Sequence, residues 1–255
     1  MNTSLLYSVI FFSFGGIGLL VFIALFFIRA PYGRYQREGW GIKIENRAGW
    51  ILMEGVAPAG FLVFFFLGSW KSGVMPYVFL FLWMFHYIYR SFLFPSLIRG
   101  KKTIPLAIAL FAVVFNGVNA FLQSRFLYSY AGPGGRYPLS WAGSPRFLIG
   151  IVLFFTGFII HARADQILRN LRDPGETGYK IPRGWLFRWI SCPNYFGEIL
   201  EWAGWAVLTW AYPGLLFMIW TFFNLFPRAL SHHRWYRQQF PEYPQERNAI
   251  IPGLI

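Results

Sequence analysis

Apolar residues fall in seven long runs, at residues 5–28, 48–68, 74–97, 104–130, 145–170, 194–211 and 213–231, separated by stretches of Gly, Pro and charged residues. Each run is long enough to cross roughly 30 Å of hydrocarbon as a helix. No segment alternates polar and apolar residues over a strand's length. The pattern therefore predicts an all-α integral membrane protein, seven transmembrane helices in a single domain covering 1–255. The polar turn 69–73 joins the second and third runs. "AYPG" at 211–214 divides the last apolar block, because Pro and Gly there end one helix and begin another. The first run has no basic segment before it and is too long for a signal-peptide core, so it reads as a retained helix. Residues 232–255 form a polar C-terminal tail, and no internal repeat is visible.

Composition agrees. The chain is 56% hydrophobic and only 13% charged, about half the charged share of a soluble domain. The net charge of +13 does not point to nucleic acid once its positions are followed. Arg29, Arg34, Arg37, Lys43 and Arg47 follow the first run, and Arg99, Lys101 and Lys102 follow the third. Arg163, Arg169, Arg172, Lys180, Arg183 and Arg188 lie between the fifth and sixth, and four more arginines close the chain. The other side holds only Lys71, Arg125, Arg136 and Arg146, with Arg90 inside the third run. That asymmetry predicts an N-terminus outside and a C-terminus in the cytoplasm, with anionic membrane lipid as the partner of the basic loops. The single cysteine, Cys192, forbids an intrachain disulfide and gives no metal-cluster spacing.

Glu54, His86, Arg90, Glu198 and Glu201 sit within or at the ends of apolar runs. A charge near the bilayer centre costs at least about 2.5 kcal/mol, so such residues face a cavity or a partner. A structural pair, for example Glu201 with an arginine, is one use of them. Glu54 has no basic residue within four positions, so burial favours its neutral form, which donates a hydrogen bond. Tyr87 on the third run offers a second donor, although a membrane tyrosine also serves as an interface anchor. A neutral carboxylic acid with a tyrosine can polarise a carbonyl; ketosteroid isomerase, an example known from general enzymology, pairs the same two groups.

On the cytoplasmic side the chemistry is different. Asp165, Arg169 and Arg172 recur at helical spacing, and "DPGETGYKIPRG" is a punctuated loop carrying Lys and Arg. Asn194 opens the sixth run near an N-cap position, with Glu198 four residues on. Glu198 and Glu201 lack the Glu-x-x-His partners of a di-metal bundle, and adjacent His232 and His233 point about 100° apart on a helix, so no metal is expected. A cationic, aromatic vestibule that grips a phosphorylated cofactor accounts for more of these residues. No G-x-G-x-x-G follows a strand, so any dinucleotide sits outside a Rossmann fold.

Two stretches, "ILRNLRDPGETGYKIPRGWLFRWISCPNYFGEILEWAGWAVLTW" (167–210) and "RALSHHRWYRQQFPEYPQERNAIIP" (228–252), resemble the steroid 5α-reductase family. The shared runs are L-R-x-P-G-E-x-x-Y-x-I-P, N-x-x-G-E and H-H-x-x-Y; "HYIYR" (86–90) and Glu54 also match. The resemblance is to bacterial-type members and implies a seven-helix, monomeric reductase that uses NADPH on a 3-oxo-Δ4-steroid such as testosterone or progesterone. It implies a bacterial inner membrane or the endoplasmic reticulum. By family position Glu54 and Tyr87 hold the carbonyl oxygen. Asp165, Arg172, Tyr179, Lys180, Asn194, Glu198, Arg228, His232 and Tyr236 bind NADPH, and Trp202 lines the substrate cavity. His232 and Tyr236, one turn apart, are expected to point together, and His233 elsewhere. Three positions depart from the pattern: Phe94 replaces a tyrosine, Lys180 an arginine, and Arg163 a histidine found in some relatives. Sterol, polyprenol and enoyl reductases and isoprenylcysteine methyltransferases end in related tails. Another unsaturated lipid as substrate, S-adenosylmethionine as cofactor, or a non-catalytic lipid sensor are thus the competing readings.

Overall fold

The computed structural model describes residues 3–29, 33–35, 37–98, 102–172, 176 and 178–255. Arg99 and Lys101 of the basic-loop pattern, and 173–175 and 177 of the loop motif, lie outside the described residues. Seven helices follow in order: α1 (Thr3–Phe27), α2 (Asn46–Leu67), α3 (Met75–Ile88), α4 (Leu106–Arg125), α5 (Pro145–Arg169), α6 (Pro193–Thr209) and α7 (Tyr212–Gln239). Helix α3 continues through a π-helical turn, Tyr89–Leu93, to Ser96, and α4 through another, Phe126–Ala131. Six of the seven are long and apolar enough to cross a membrane; α6, with 17 residues, is the exception.

Two features depart from the sequence pattern. A short antiparallel pair, β1 (Lys43–Glu45) with β2 (Thr103–Pro105), joins the segments that lead into α2 and α4, with Ile44 opposite Ile104. Three-residue strands are too short to produce a readable alternation. Helix α7 also runs on to Gln239 rather than stopping at 231. No Gly or Pro interrupts 228–240, so the first residues of the expected tail, including both histidines, are helical.

The chain divides into two compact units: residues 1–16 with 30–148, and residues 17–29 with 149–255. In unit 1, α2 and α4 run parallel, because Asn116 meets Met53, Gly117 faces Val56, Ala120 meets Gly60 and Ser124 meets Phe61. Side chains on α4 donate to backbone carbonyls of α2: Asn116 Nδ2 to Met53 O at 2.7 Å and Ser124 Oγ to Phe61 O at 3.1 Å. Such bonds average about 0.6 kcal/mol in membrane proteins, so packing carries the rest. Phe61 stacks on Trp83 at 4.5 Å and meets Tyr128 edge-on, and Tyr128 donates to Pro76 O.

In unit 2, α5 and α6 touch backbone to backbone. Gly150 and Gly157 on α5 and Gly197 and Gly204 on α6 recur at seven-residue spacing. A methyl group at any of them would overlap main-chain atoms of the facing helix: at Gly157, those of Gly197 and Glu201; at Gly204, those of Gly150 and Phe154. Small residues that admit a second backbone are the usual basis of close helix contact in lipid. The C-terminal segment then folds back, Ser191 and Cys192 donating N–H bonds to Asn248 and Ala249 carbonyls. Cys192, Ala229 and Ile250 close a small apolar core there.

Candidate active site

In unit 1 the interest lies between α2 and α3. Trp83 Nε1 donates to Ala57 O at 3.2 Å. About two turns beyond, the Arg90 guanidinium lies 4.7 Å from the ring centres of both Trp50 and Phe94. Residue numbers fall along α2 as they rise along α3, so the helices are antiparallel. From Ala57 back to Glu54, and from Trp83 on to Tyr87, the chain moves the same way, by about 4.5 and 6 Å at the helical rise. Glu54 and Tyr87 therefore sit at one level, bracketed by a hydrogen bond on one side and a cation–π sandwich on the other. Tyr87 is 2% exposed and packs against Trp83 at 4.8 Å and His86 at 4.8 Å; Glu54 is half-buried. Phe94 supplies one of the two rings that hold Arg90.

The π turn begins two residues after Tyr87, and π turns are frequent at functional sites. Ser91 lies within it, fully buried, and its hydroxyl has no hydrogen-bond partner among the described residues. The hydroxyls of Thr209 and Thr221, by contrast, return to the carbonyls four residues back.

In unit 2 the α5–α6 contact carries the polar groups into place. Facing positions descend in register, Gly157 with Glu201, His161 with Gly197, and then Asp165 with Asn194. Asn194 Nδ2 donates to Asp165 Oδ1 at 3.1 Å, joining two of the residues singled out in the sequence. Glu201 pairs with His161, Oε2 to Nε2 at 3.1 Å, and both side chains are buried.

His232 and Arg228 meet around a residue the sequence reading missed. The Tyr195 hydroxyl and His232 Nε2 are hydrogen-bonded at 3.1 Å, and the Arg228 guanidinium lies 5.3 Å from the Tyr195 ring centre. Tyr236 is 3% exposed and stacks on Tyr243 at 5.3 Å in a cluster with Ile181. His233 turns to Ser191, whose hydroxyl is 2.7 Å from His233 Nδ1, 2.6 Å from the Tyr243 hydroxyl, and donates to Asn248 O. The adjacent histidines thus serve separate networks. Arg172 donates to Gly178 O at 3.1 Å and lies over Tyr179, which packs edge-on against Trp235. Lys180 is ion-paired with Glu176 in the open, an arrangement worth little by itself. Arg163 binds Gln166, Glu198 is half-buried, and Trp202 is buried against Phe217 and Phe154.

Tyr195 was open to view beside Asn194 at the start of α6, but nothing in its spacing tied it to α7. The polar stripe Asn116, Asn119, Gln123 and Ser124, at i, i+3, i+7 and i+8 on α4, was a stronger missed signal, since that spacing marks one helical face.

A family profile described as 3-oxo-5-alpha-steroid 4-dehydrogenase matches residues 102–255. The chain is 41% identical to 3-oxo-5-alpha-steroid 4-dehydrogenase 1 of Bos taurus, with 94% of this chain and 93% of the relative covered. It is also 41% identical to steroid 5-alpha-reductase DET2 of Gossypium hirsutum, covering 93% of each chain. To the Homo sapiens 3-oxo-5-alpha-steroid 4-dehydrogenase 1 it is 39% identical, covering 94% of this chain and 92% of the relative.

Proposed function

The chain belongs to the 3-oxo-5-alpha-steroid 4-dehydrogenase family, and on that premise we propose that it reduces the 4,5 double bond of a 3-oxo-Δ4-steroid with NADPH. The observation that carries the reading is the level pairing of Glu54 with Tyr87 between two fixed contacts. Glu54, in its protonated form, and Tyr87 each donate a hydrogen bond to the 3-oxo oxygen. Withdrawing charge through the conjugated system leaves the β-carbon electron-poor. As the enone becomes an enolate, negative charge gathers on that oxygen, and fixed donors stabilise it more than they stabilise the ground state. The α-carbon then takes a proton. Trp202 belongs to the apolar lining for the steroid in this reading.

In unit 2 the donor set fits a phosphorylated dinucleotide. Arg172, Lys180 and Arg228 offer positive charge for phosphate. Asn194, oriented by Asp165, together with Glu198 and His232, offers donors and acceptors for the carboxamide end. Tyr179 supplies aromatic surface, and Tyr236, stacked on Tyr243, completes the set from the buried side. NADPH, when bound, supplies hydride for the β-carbon. Lys180 gives a point charge where arginine would give a bidentate fork. The basic-loop asymmetry supports an outside N-terminus and a cytoplasmic C-terminus, in a bacterial inner membrane or the endoplasmic reticulum.

The test uses purified protein with NADPH and testosterone or progesterone, with the product identified by mass spectrometry and NMR. The saturated 5α-steroid is expected. Turnover left intact by Glu54→Gln or Tyr87→Phe would overturn the carbonyl assignment, and thermal stabilisation by S-adenosylmethionine instead of NADPH would overturn the cofactor.

A further inference from the structure

Among the described residues, the polar stripe of α4 holds one buried group without a hydrogen-bond partner. Asn119 is 1% exposed, inside a membrane-spanning helix. Its Oδ1 accepts from Gln123 Nε2 at 3.2 Å, which turns the amide nitrogen the other way. That Nδ2 has no hydrogen-bond partner among the described residues. Its neighbours on the stripe, Asn116 and Ser124, both reach a carbonyl of α2. A buried donor without a partner forfeits its hydration for nothing, and in a folded protein such a group needs a reason.

The parallel register of α2 and α4 fixes its height. Gly117 faces Val56 and Ala120 meets Gly60, so Asn119 lies level with residues 56–60, about one turn from Glu54. Side chains lean toward the N-terminus of their own helix. On α4 that lean carries the Asn119 amide toward the level of Glu54. On antiparallel α3 it carries the Tyr87 phenol toward the level of Trp83 and Ala57, where Asn119 sits. Asn119 and Tyr87 so approach one height from opposite directions, while Glu54, on a helix parallel to α4, leans the same way as Asn119.

We infer that Asn119 is a third hydrogen-bond donor to the substrate carbonyl oxygen, acting beside Tyr87 and Glu54. The inference rests on the reading of those two residues as the carbonyl-holding pair. An amide suits the role because it donates without exchanging a proton at neutral pH: it stabilises the enolate oxygen and does not compete to protonate it. An enolate oxygen has lone pairs for three donors, and an orphan donor already fixed before substrate arrives needs no reorganisation as charge develops.

The experiment compares the unaltered protein with Asn119→Leu. Two readouts are taken: steady-state turnover of testosterone with NADPH, and the infrared carbonyl stretch of bound testosterone labelled with 13C at C3. Removing one oxyanion donor predicts a kcat lower by about 10²-fold with a smaller change in KM. It also predicts a carbonyl band shifted toward its position in apolar solvent. A purely structural role would leave the band of the folded variant in place. Asn119→Ala removes the same donor without added bulk and serves if the leucine variant does not fold. An unmoved band with unchanged kcat overturns the inference alone. Absence of enone reduction by the unaltered protein overturns the underlying reading, and the inference with it.

Discussion

In unit 1 the polar side chains of α4 reach singly across to backbone carbonyls of α2, whereas in unit 2 α5 and α6 meet main chain to main chain and their polar side chains pair with each other. The difference follows from residue size at the contact. Between α2 and α4 the side chains of Val56 and Ala120 fill the space opposite Gly117 and Gly60, and an asparagine and a serine beside them reach carbonyls across the contact. Four glycines let α5 and α6 meet backbone to backbone, so side chains beside the contact line, His161 with Glu201 and Asp165 with Asn194, are brought within hydrogen-bond distance. The first arrangement leaves, among the described residues, one donor to spare, Asn119. The other uses its polar groups in pairs and sets the next pair in register.

If the division is also functional, variants should separate enone chemistry from cofactor binding. Glu54→Gln and Tyr87→Phe should have the largest effect, lowering kcat by about 10²- to 10³-fold while leaving the NADPH dissociation constant, measured by fluorescence titration, unchanged. A parallel loss of NADPH affinity would break the separation. Gly157→Ala should come next: the methyl group must push α6 away, costing about 1–3 kcal/mol, read as a lower Tm in detergent, and NADPH affinity should fall with it. Asn194→Leu should keep the fold and raise the NADPH dissociation constant by about tenfold, or ~1.4 kcal/mol, with the steroid KM at saturating NADPH unaffected. The smallest effect belongs to Asn116→Leu, where one side chain–backbone bond is lost for about 0.6 kcal/mol. A larger loss there would mean that the α2–α4 pair depends on its polar stripe more than on packing.

Much of this was readable along the chain. The helix limits at Leu67, Met75 and Pro145 follow from Gly, Pro and polar residues that end apolar runs locally. Glu54 and Tyr87 stood out because an ionisable or hydroxyl group in hydrocarbon is expensive wherever the rest of the chain goes. Helix α7 continues to Gln239, past the last apolar run, because loss of hydrophobicity is not loss of helix. The membrane ends where the apolar residues end, but the helix ends where backbone hydrogen bonding is interrupted. Tyr195, His161 and Ser191 were passed over for another reason: each is defined by a partner 37 to 42 residues away, and no local spacing announces such a partner.

The sequence by itself determined the membrane-spanning helices, the unequal distribution of charge, the family and the residue types available for carbonyl and phosphate chemistry. These depend on composition and on contacts within a few turns. The tertiary structure alone decided that Glu54 and Tyr87 share a level, that Asn194 is oriented by Asp165, and that His232 and His233 serve different networks. It also decided that Asn119 keeps an unused donor. Each depends on the register between helices, which is set by side-chain volume at the contact and is not written in either helix alone.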